Sequence, residues 1–206
     1  MQLTQKYPEL LACAPEVAQA AQMLEECFGA GGKLLVCGNG GSAADSEHMV
    51  AELMKGYYLI RPIPAELRAR LVAQFPEQGA YLANHLQGTL PAISLVSQVG
   101  LMTAFINDVA ADTVYAQQVL GYGKPGDVLL GLSTSGSSAN VLHALRVARV
   151  LGLRTIGLTG RKGGKMGEVC DVLIRVPLDK TPDIQEKHEA VYHALCAHLE
   201  ERFFGE

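Results

Sequence analysis

Basic charge is in short supply in this sequence. Seventeen Lys and Arg stand against 21 Asp and Glu among 206 residues, a formal net charge of −4. A nucleic-acid partner calls for a basic footprint, and none is present. Tryptophan is absent, and aromatic residues amount to seven Tyr and five Phe. No apolar run reaches the ~20 residues that cross a bilayer, and no signal peptide opens the chain, so no membrane partner is expected. The five cysteines (Cys13, Cys27, Cys37, Cys170 and Cys196) are odd in number and include no Cys-x-x-Cys pair. That argues against a disulfide framework and for reduced thiols in a cytoplasmic protein. Cys37 has no base beside it in sequence and reads as a small core residue.

What is present is a chain of ordinary globular composition, 49% hydrophobic and 18% charged, long enough for one domain over 1–206 with a full core. Its centre is Ser133-Thr134-Ser135-Gly136-Ser137-Ser138. The run before it, Asp127 to Leu132, follows the turn Lys124-Pro125-Gly126 and reads as a buried parallel strand. After it, Val141, Leu142, Leu145 and Ala148 fall at helical spacing. Five hydroxyls and a glycine therefore stand where a strand ends and a helix begins. Free amides and the positive end of the helix dipole converge there, which suits a phosphate monoester. A Ser-rich cap would explain one or two hydroxyls, not five. The loop is no Walker A, since no Gly-Lys-Ser/Thr follows, and it lacks the dinucleotide fingerprint. A small sugar phosphate suits it better than a triphosphate.

The same plan occurs earlier. Residues 33–37 form an apolar strand, Gly38-Asn39-Gly40-Gly41-Ser42 a polar loop, and 43–57 a helix carrying His48 and Glu52 four residues apart on one face. Two such loops would share the carboxyl edge of one parallel sheet. Residues 1–30 read as helical, with Val17, Ala20, Ala21, Leu24, Cys27 and Phe28 as an apolar stripe; packing on a second subunit is favoured over packing on the sheet. Residues 58–90 break the alternation and read as a helical insertion or lid, with short helices at 65–73 and 79–87. Strands follow at 91–96, 154–160 and 172–176, helices at 99–106, 113–120 and, last, 182–204. Tyr115, Gln117 and Gln118 read as packing and surface residues. Alternation throughout predicts an α/β fold, a doubly wound, flavodoxin-like parallel sheet of about five strands flanked by helices.

In series, Gly38-Asn39-Gly40-Gly41-Ser42, His48-x-x-x-Glu52, Asn107-Asp108, Gly126 to Gly136, Leu158-Thr159-Gly160, Gly163-Gly164-Lys165-Met166, Ile174-Arg175-Val176-Pro177 and Ile184-Gln185-Glu186 with His193 resemble the sugar isomerase (SIS) domain, and within it the phosphoheptose isomerase family. The resemblance covers nearly the whole chain except 58–90. It implies interconversion of sedoheptulose 7-phosphate and D-glycero-D-manno-heptose 7-phosphate, toward bacterial surface polysaccharide, by a homotetramer with active sites at subunit interfaces. It also implies roles: Ser133, Thr134, Ser135 and Ser138 on the phosphate; Asn39, Gly40 and Ser42 near the sugar; Asp108 and Gln185 on the substrate. Glu52 and His193 would be the acid–base pair, and His48, Glu52, Gln185 and His193 the ligands of one zinc per site.

The residue types suit the chemistry. Aldose–ketose isomerisation moves a proton between adjacent carbons through an enediol, which takes a base on carbon and an acid for the neighbouring oxygen. Gln185 and His193 lie eight residues apart, about 12 Å along an ideal helix, so one metal is shared only through extended side chains or between subunits. Two positions depart from the family pattern. Lys55-Gly56 stands where the family has Gly-Arg, so the basic contact is either missing or moved, to Lys55 or Arg61, and Pro182 replaces an expected aspartate, with Asp183 shifted by one. A different phosphosugar is therefore an alternative, as is a non-catalytic adaptor of the type that associates with the replication initiator, or a sugar-phosphate-sensing regulator. The presence of both Glu52 and His193 favours an enzyme. His188, one turn after Gln185, is a reserve candidate for the site; His85 and His143 read as surface or packing residues, and His198 as solvent-facing.

Overall fold

Five short apolar runs become strands of one sheet: β1 Leu34–Cys37, β2 Ala92–Ser94, β3 Val128–Leu132, β4 Arg154–Thr159 and β5 Val172–Arg175, all parallel, in the order β2-β1-β3-β4-β5. This is the doubly wound order in which direction reverses between β1 and β3, the place where such sheets bind ligands. The computed structural model describes residues 3–205. Met1 and Gln2, the first residues of the expected leading helix, lie outside them.

Period two divides each strand between two cores. Leu34, Val36, Val128, Leu130, Leu132, Ile156, Leu158 and Ile174 face one cluster; Leu35, Cys37 and Leu129 face the other. The first is closed by α2 (Ala14–Gly29), α3 (Gly41–Met54) and α9 (Thr181–Phe204), the second by α7 (Val114–Tyr122) and α8 (Ala139–Val150). Cys37 is a fully buried core residue, with burial pushing its thiol up to about 12. Tyr115 and Gln118 are buried under the other layer; Gln118 donates to the Leu95 carbonyl.

The leading segment departs from the sequence reading. It is three pieces: α1 (Leu3–Lys6), a 3₁₀ turn Pro8–Cys13, and α2, which starts at Ala14 with Pro15 in its first turn. The apolar stripe of α2 packs inside the chain, on α9 and the sheet, rather than awaiting a second subunit. The sheet offers it an uncovered face, which satisfies the stripe without a partner.

Between α3 and β2, α4 (Ala65–Gln74) and α5 (Gly79–His85) pack on each other, with Arg68 bonded to the Ala83 carbonyl and Asn84. None of the α4 side chains is buried, and neither are those of α6 (Val99–Asp108). No helix of the described residues is long and apolar enough to cross a membrane.

His188 lies in the core. It is completely buried on α9, and among the described residues neither ring nitrogen makes a well-formed hydrogen bond, the Thr159 backbone being only weakly engaged. Burial pushes its imidazole from the ordinary 6.5 to about 4, against a smaller upward pull from the Thr159 backbone. The unfolded chain takes up this proton below about 6.5 and the folded chain only near 4. Stability is therefore full above the higher value and lost as pH falls through that window, by up to roughly 3 kcal/mol. Urea unfolding of His188→Gln is expected to show a flatter loss between neutral pH and pH ~4 than the wild type.

Candidate active site

The hydroxyl loop leaves β3 at the carboxyl edge of the sheet. Ser133 is buried, and its Oγ lies 2.9 Å from Ser138 Oγ and 3.4 Å from Ser135 Oγ. Ser135 also accepts the Ser137 amide at 3.2 Å. Three hydroxyls thus converge before the first turn of α8, while Ser135 and Ser137 stay exposed. Thr134 uses its carbonyl, not its hydroxyl, to fasten the loop: it accepts from the Gly160 amide and Thr159 Oγ1.

Gly136 makes the turn possible. Its φ of 63° is in the left-handed region, and a Cβ there would strike the Gly163 carbonyl; one on Gly164 would strike the Ser135 carbonyl. The segment after β4 thus braces the loop from behind, backbone against backbone, with the Met166 amide bonded to the Gly136 carbonyl. Gly136→Ala is expected to cost ~2 kcal/mol or more and to weaken phosphate binding, measured by urea unfolding and by phosphate titration calorimetry.

The second loop sits beside the first. Asn39 and Asn140 exchange two side-chain hydrogen bonds, each 2.9 Å, so the start of α3 is tied to the start of α8. Gly40 takes a φ of 58°, and Ser42 is buried in the first turn of α3. A Cβ on Gly41 would meet the Gln185 side-chain amide, which places Gln185 against the head of α3. Asp108 is exposed at the end of α6, bonded to Asn107; among the described residues no hydrogen bond links it to the loops or to the histidines described next.

Two helices carry the residues expected to be the acid–base pair. α3 and α9 run side by side in the same sense, Gly41 opposite Gln185, His48 opposite Tyr192 and His193, and Met49 opposite Cys196. The eight-residue interval between Gln185 and His193 therefore tracks along α3 from its head to His48, rather than converging on one point. His48 Nε2 lies 3.3 Å from Glu52 Oε1 and 3.4 Å from His193 Nε2. Glu52 also accepts Lys55 Nζ at 2.9 Å, and Tyr57 stacks on His193 with centroids 5.6 Å apart. Burial and then the neighbouring His48 lower His193 below the ordinary imidazole value. Burial and then Glu189 raise Asp45, one turn before His48, to about 6. A cavity of about 720 Å³ opens on His193, lined also by Tyr7, Tyr57, Tyr58 and His198; the hydroxyl loop is not part of its wall.

Known proteins place this chain. The profile of the SIS domain matches residues 10–87 and 68–160. The phosphoheptose isomerase of Rhodospirillum rubrum is 45% identical over 92% of this chain and 87% of its own. The chain belongs to the phosphoheptose isomerase family of SIS-domain proteins. That of Geotalea daltonii is 42% identical over 94% of this chain and 87% of its own. Among solved structures, the phosphoheptose isomerase of Francisella tularensis matches with a TM-score of 0.78 at 32% identity, covering 95% of this chain and 91% of that one. The Neisseria gonorrhoeae enzyme matches at 0.76 and 33%, covering 97% and 92%.

For a member of the phosphoheptose isomerase family, three residues sit differently from the sequence reading. Arg61 is not an open basic contact. It is fully buried, its Nε on Glu200 at 2.7 Å and its other nitrogens on the Leu53 and Glu52 carbonyls. His198 does not face solvent freely but pairs with Glu25 of α2. Glu189 went unnoticed, yet it joins His48 and His193 in a group whose donor atoms all lie within 4.8 Å of one another. Its place one turn before His193 was the available signal.

Proposed function

We propose that this phosphosugar isomerase interconverts an aldose and a ketose phosphate, sedoheptulose 7-phosphate and D-glycero-D-manno-heptose 7-phosphate, a seven-carbon pair in keeping with relatives named phosphoheptose isomerase. The observation that carries the proposal is the contact chain Glu52–His48–His193 across two parallel helices, in a chain that also holds a converging set of hydroxyls at a helix start. Ser133, Thr134, Ser135 and Ser138 hold the phosphate, with Asn39, Gly40, Ser42, Asp108 and Gln185 along the sugar. Glu52 takes the proton from one carbon and returns it to the next. His193, kept neutral near pH 7 by its lowered pKa, exchanges a proton with the carbonyl oxygen. Cradle and acid–base pair stand on separate elements, which suits an open-chain sugar phosphate with its phosphate at one end and its carbonyl at the other.

The donor set fits zinc. Two imidazole nitrogens 3.4 Å apart face one another, with a carboxylate in the same group, and N and O donors are zinc ligands. His48, His193 and Glu189 would hold the ion, with Glu52 as a further donor, and it would polarise the substrate carbonyl; Gln185, held at the head of α3 against Gly41, does not reach this group within one chain. The working form is a cytoplasmic homotetramer with sites completed at subunit interfaces; the α6 helix, apolar yet without a buried side chain, is consistent with such assembly.

The test is direct. Purified protein incubated with sedoheptulose 7-phosphate is expected to generate the aldose by NMR, while sedoheptulose without its phosphate is turned over at least 100-fold more slowly. Absence of turnover on the heptulose phosphate would overturn the substrate. A six-carbon ketose phosphate as the better substrate would favour the second reading, to which Lys55-Gly56 points: Lys55 here spends its charge on Glu52.

A further inference from the structure

Two side-chain amides close a ring between the loops. Asn39 Nδ2 donates to Asn140 Oδ1, and Asn140 Nδ2 donates to Asn39 Oδ1, both at 2.9 Å. Asn39 stands between β1 and α3, whereas Asn140 lies in the first turn of α8. Asn140 Oδ1 also accepts the Val141 amide at 3.0 Å. That amide is one of the first in α8, which have no acceptor inside the helix. Tyr115 of α7 fastens the same loop: its hydroxyl donates to the Gly38 carbonyl at 2.6 Å and stands 3.5 Å from Asn39 Oδ1. Burial pushes this phenol up to about 12, so it keeps its proton at neutral pH.

Counting donors fixes the direction of both amides. A primary amide has two N–H groups and one oxygen. The Val141 amide can only donate, so the Asn140 atom that meets it is the oxygen. With Asn140 set, the ring closes in one way: the Asn39 nitrogen faces that oxygen, and the Asn39 oxygen faces the Asn140 nitrogen. Orientation thus passes from the α8 backbone to Asn140 and from Asn140 to Asn39. Each amide spends one N–H in the ring and keeps the other. Asn39 is exposed, and its remaining N–H is a donor of fixed direction that calls for an oxygen. The hydroxyls of an open-chain sugar phosphate supply such oxygens.

We propose that Asn140 is a positioning residue of this isomerase: through its amide pair it sets the spacing between the two loops and aims the free N–H of Asn39 at an oxygen of the sugar chain. The inference rests on the phosphosugar reading for its ligand; the amide pair itself is a property of the protein alone. Asn140 belongs to the helix that follows the hydroxyl loop. Asn39 belongs to the loop that leads into α3, which carries His48 and Glu52. The pair is therefore a strut between the elements that would meet the two ends of the substrate, and misplacement of a reacting group costs rate steeply.

The experiment uses the full chain with Asn140→Ser, Asn39→Ala and the double variant. Serine keeps an oxygen for the Val141 amide but is too short to pair with Asn39. Calorimetry with sedoheptulose 7-phosphate and with inorganic phosphate reads the two halves of the site. Asn140→Ser is expected to weaken the sugar phosphate about 10-fold and inorganic phosphate by less than about 2-fold. The double variant should bind the sugar phosphate no more weakly than Asn39→Ala, because Asn140 acts through Asn39. Additive losses, an equal loss for inorganic phosphate (the mark of a merely structural role at the start of α8), or an unchanged affinity for the sugar phosphate overturns the proposal. Should the wild type bind the sugar phosphate without turning it over, the isomerase reading falls by itself and the cycle still decides the role of Asn140. No binding of the sugar phosphate at all overturns both. Circular dichroism guards against misfolding of the variants. In the wild type alone, NMR is expected to show scalar coupling across the hydrogen bond from Asn39 Nδ2 to the Asn140 carboxamide, and its absence overturns the proposal without any variant.

Discussion

Glu52→Gln is expected to lose turnover by 10²- to 10⁴-fold while the protein remains folded. General-base groups contribute about that much, and an amide of the same shape cannot accept a proton from carbon. The side chain has few structural duties. Its partners are His48 and Lys55, both substantially exposed, and a glutamine oxygen can still accept from Lys55. The Glu52 side chain is itself only 13% exposed, but both partners reach water and the amide keeps an acceptor, so the loss should stay within ~1 kcal/mol and the unfolding midpoint should move little. The assay is conversion of the ketose phosphate by NMR, with substrate affinity measured separately. Turnover within 10-fold of wild type would remove Glu52 from the chemistry; a collapsed affinity at normal turnover would make it a binding residue instead.

Glu200→Leu should produce the largest loss of stability, about 3–5 kcal/mol. The side chain of Glu200 is 1% exposed and that of Arg61 0%, so breaking the pair leaves a guanidinium uncompensated in the core. Glu200 also accepts the amides of Tyr57, Tyr58 and Leu59 at 2.7, 2.6 and 3.1 Å. Burial alone would push its carboxyl up, but the Tyr57 and Tyr58 amides and Arg61 together outweigh burial and hold it below the ordinary value. Its contribution is therefore present above the usual carboxylate range and lost as pH falls through the lowered folded value. Glu200→Gln, which keeps one acceptor oxygen, should lose less than Glu200→Leu. Arg61 also bonds the carbonyl of Glu52, so activity should fall in both beyond what the unfolded fraction explains. Urea midpoints at neutral pH decide the matter: a change under ~1 kcal/mol in Glu200→Leu would mean that Arg61 finds water.

The same pair explains what could and could not be read in the sequence. β3 and its loop were legible because a run of apolar residues between a Pro-Gly turn and five hydroxyls has few other solutions. The end of α3 was not. The pattern continues helical to Tyr57, yet α3 stops at Met54: the Gly56 amide is taken by Gln87 and those of Tyr57 and Tyr58 by a carboxylate more than 140 positions later. His188 repeats the lesson: its spacing from Gln185 suggested the site, but the face it occupies is turned into the core. Glu189 and Tyr192, ordinary helix residues by sequence, gain chemical neighbours only when α9 lies parallel to α3. Residue type and local period were enough for the strands and the hydroxyl loop; helix registry was not written locally.

The hydroxyl loop hangs from the central strand and is clamped by glycine backbones, whereas the imidazoles and carboxylates ride on the outer flanks of two helices. The handle and the working end of a substrate would then be governed by different parts of the chain. Exchanging residues along the α3–α9 seam could redirect the reaction to another sugar, while the grip on its phosphate passed unchanged from ancestor to descendant.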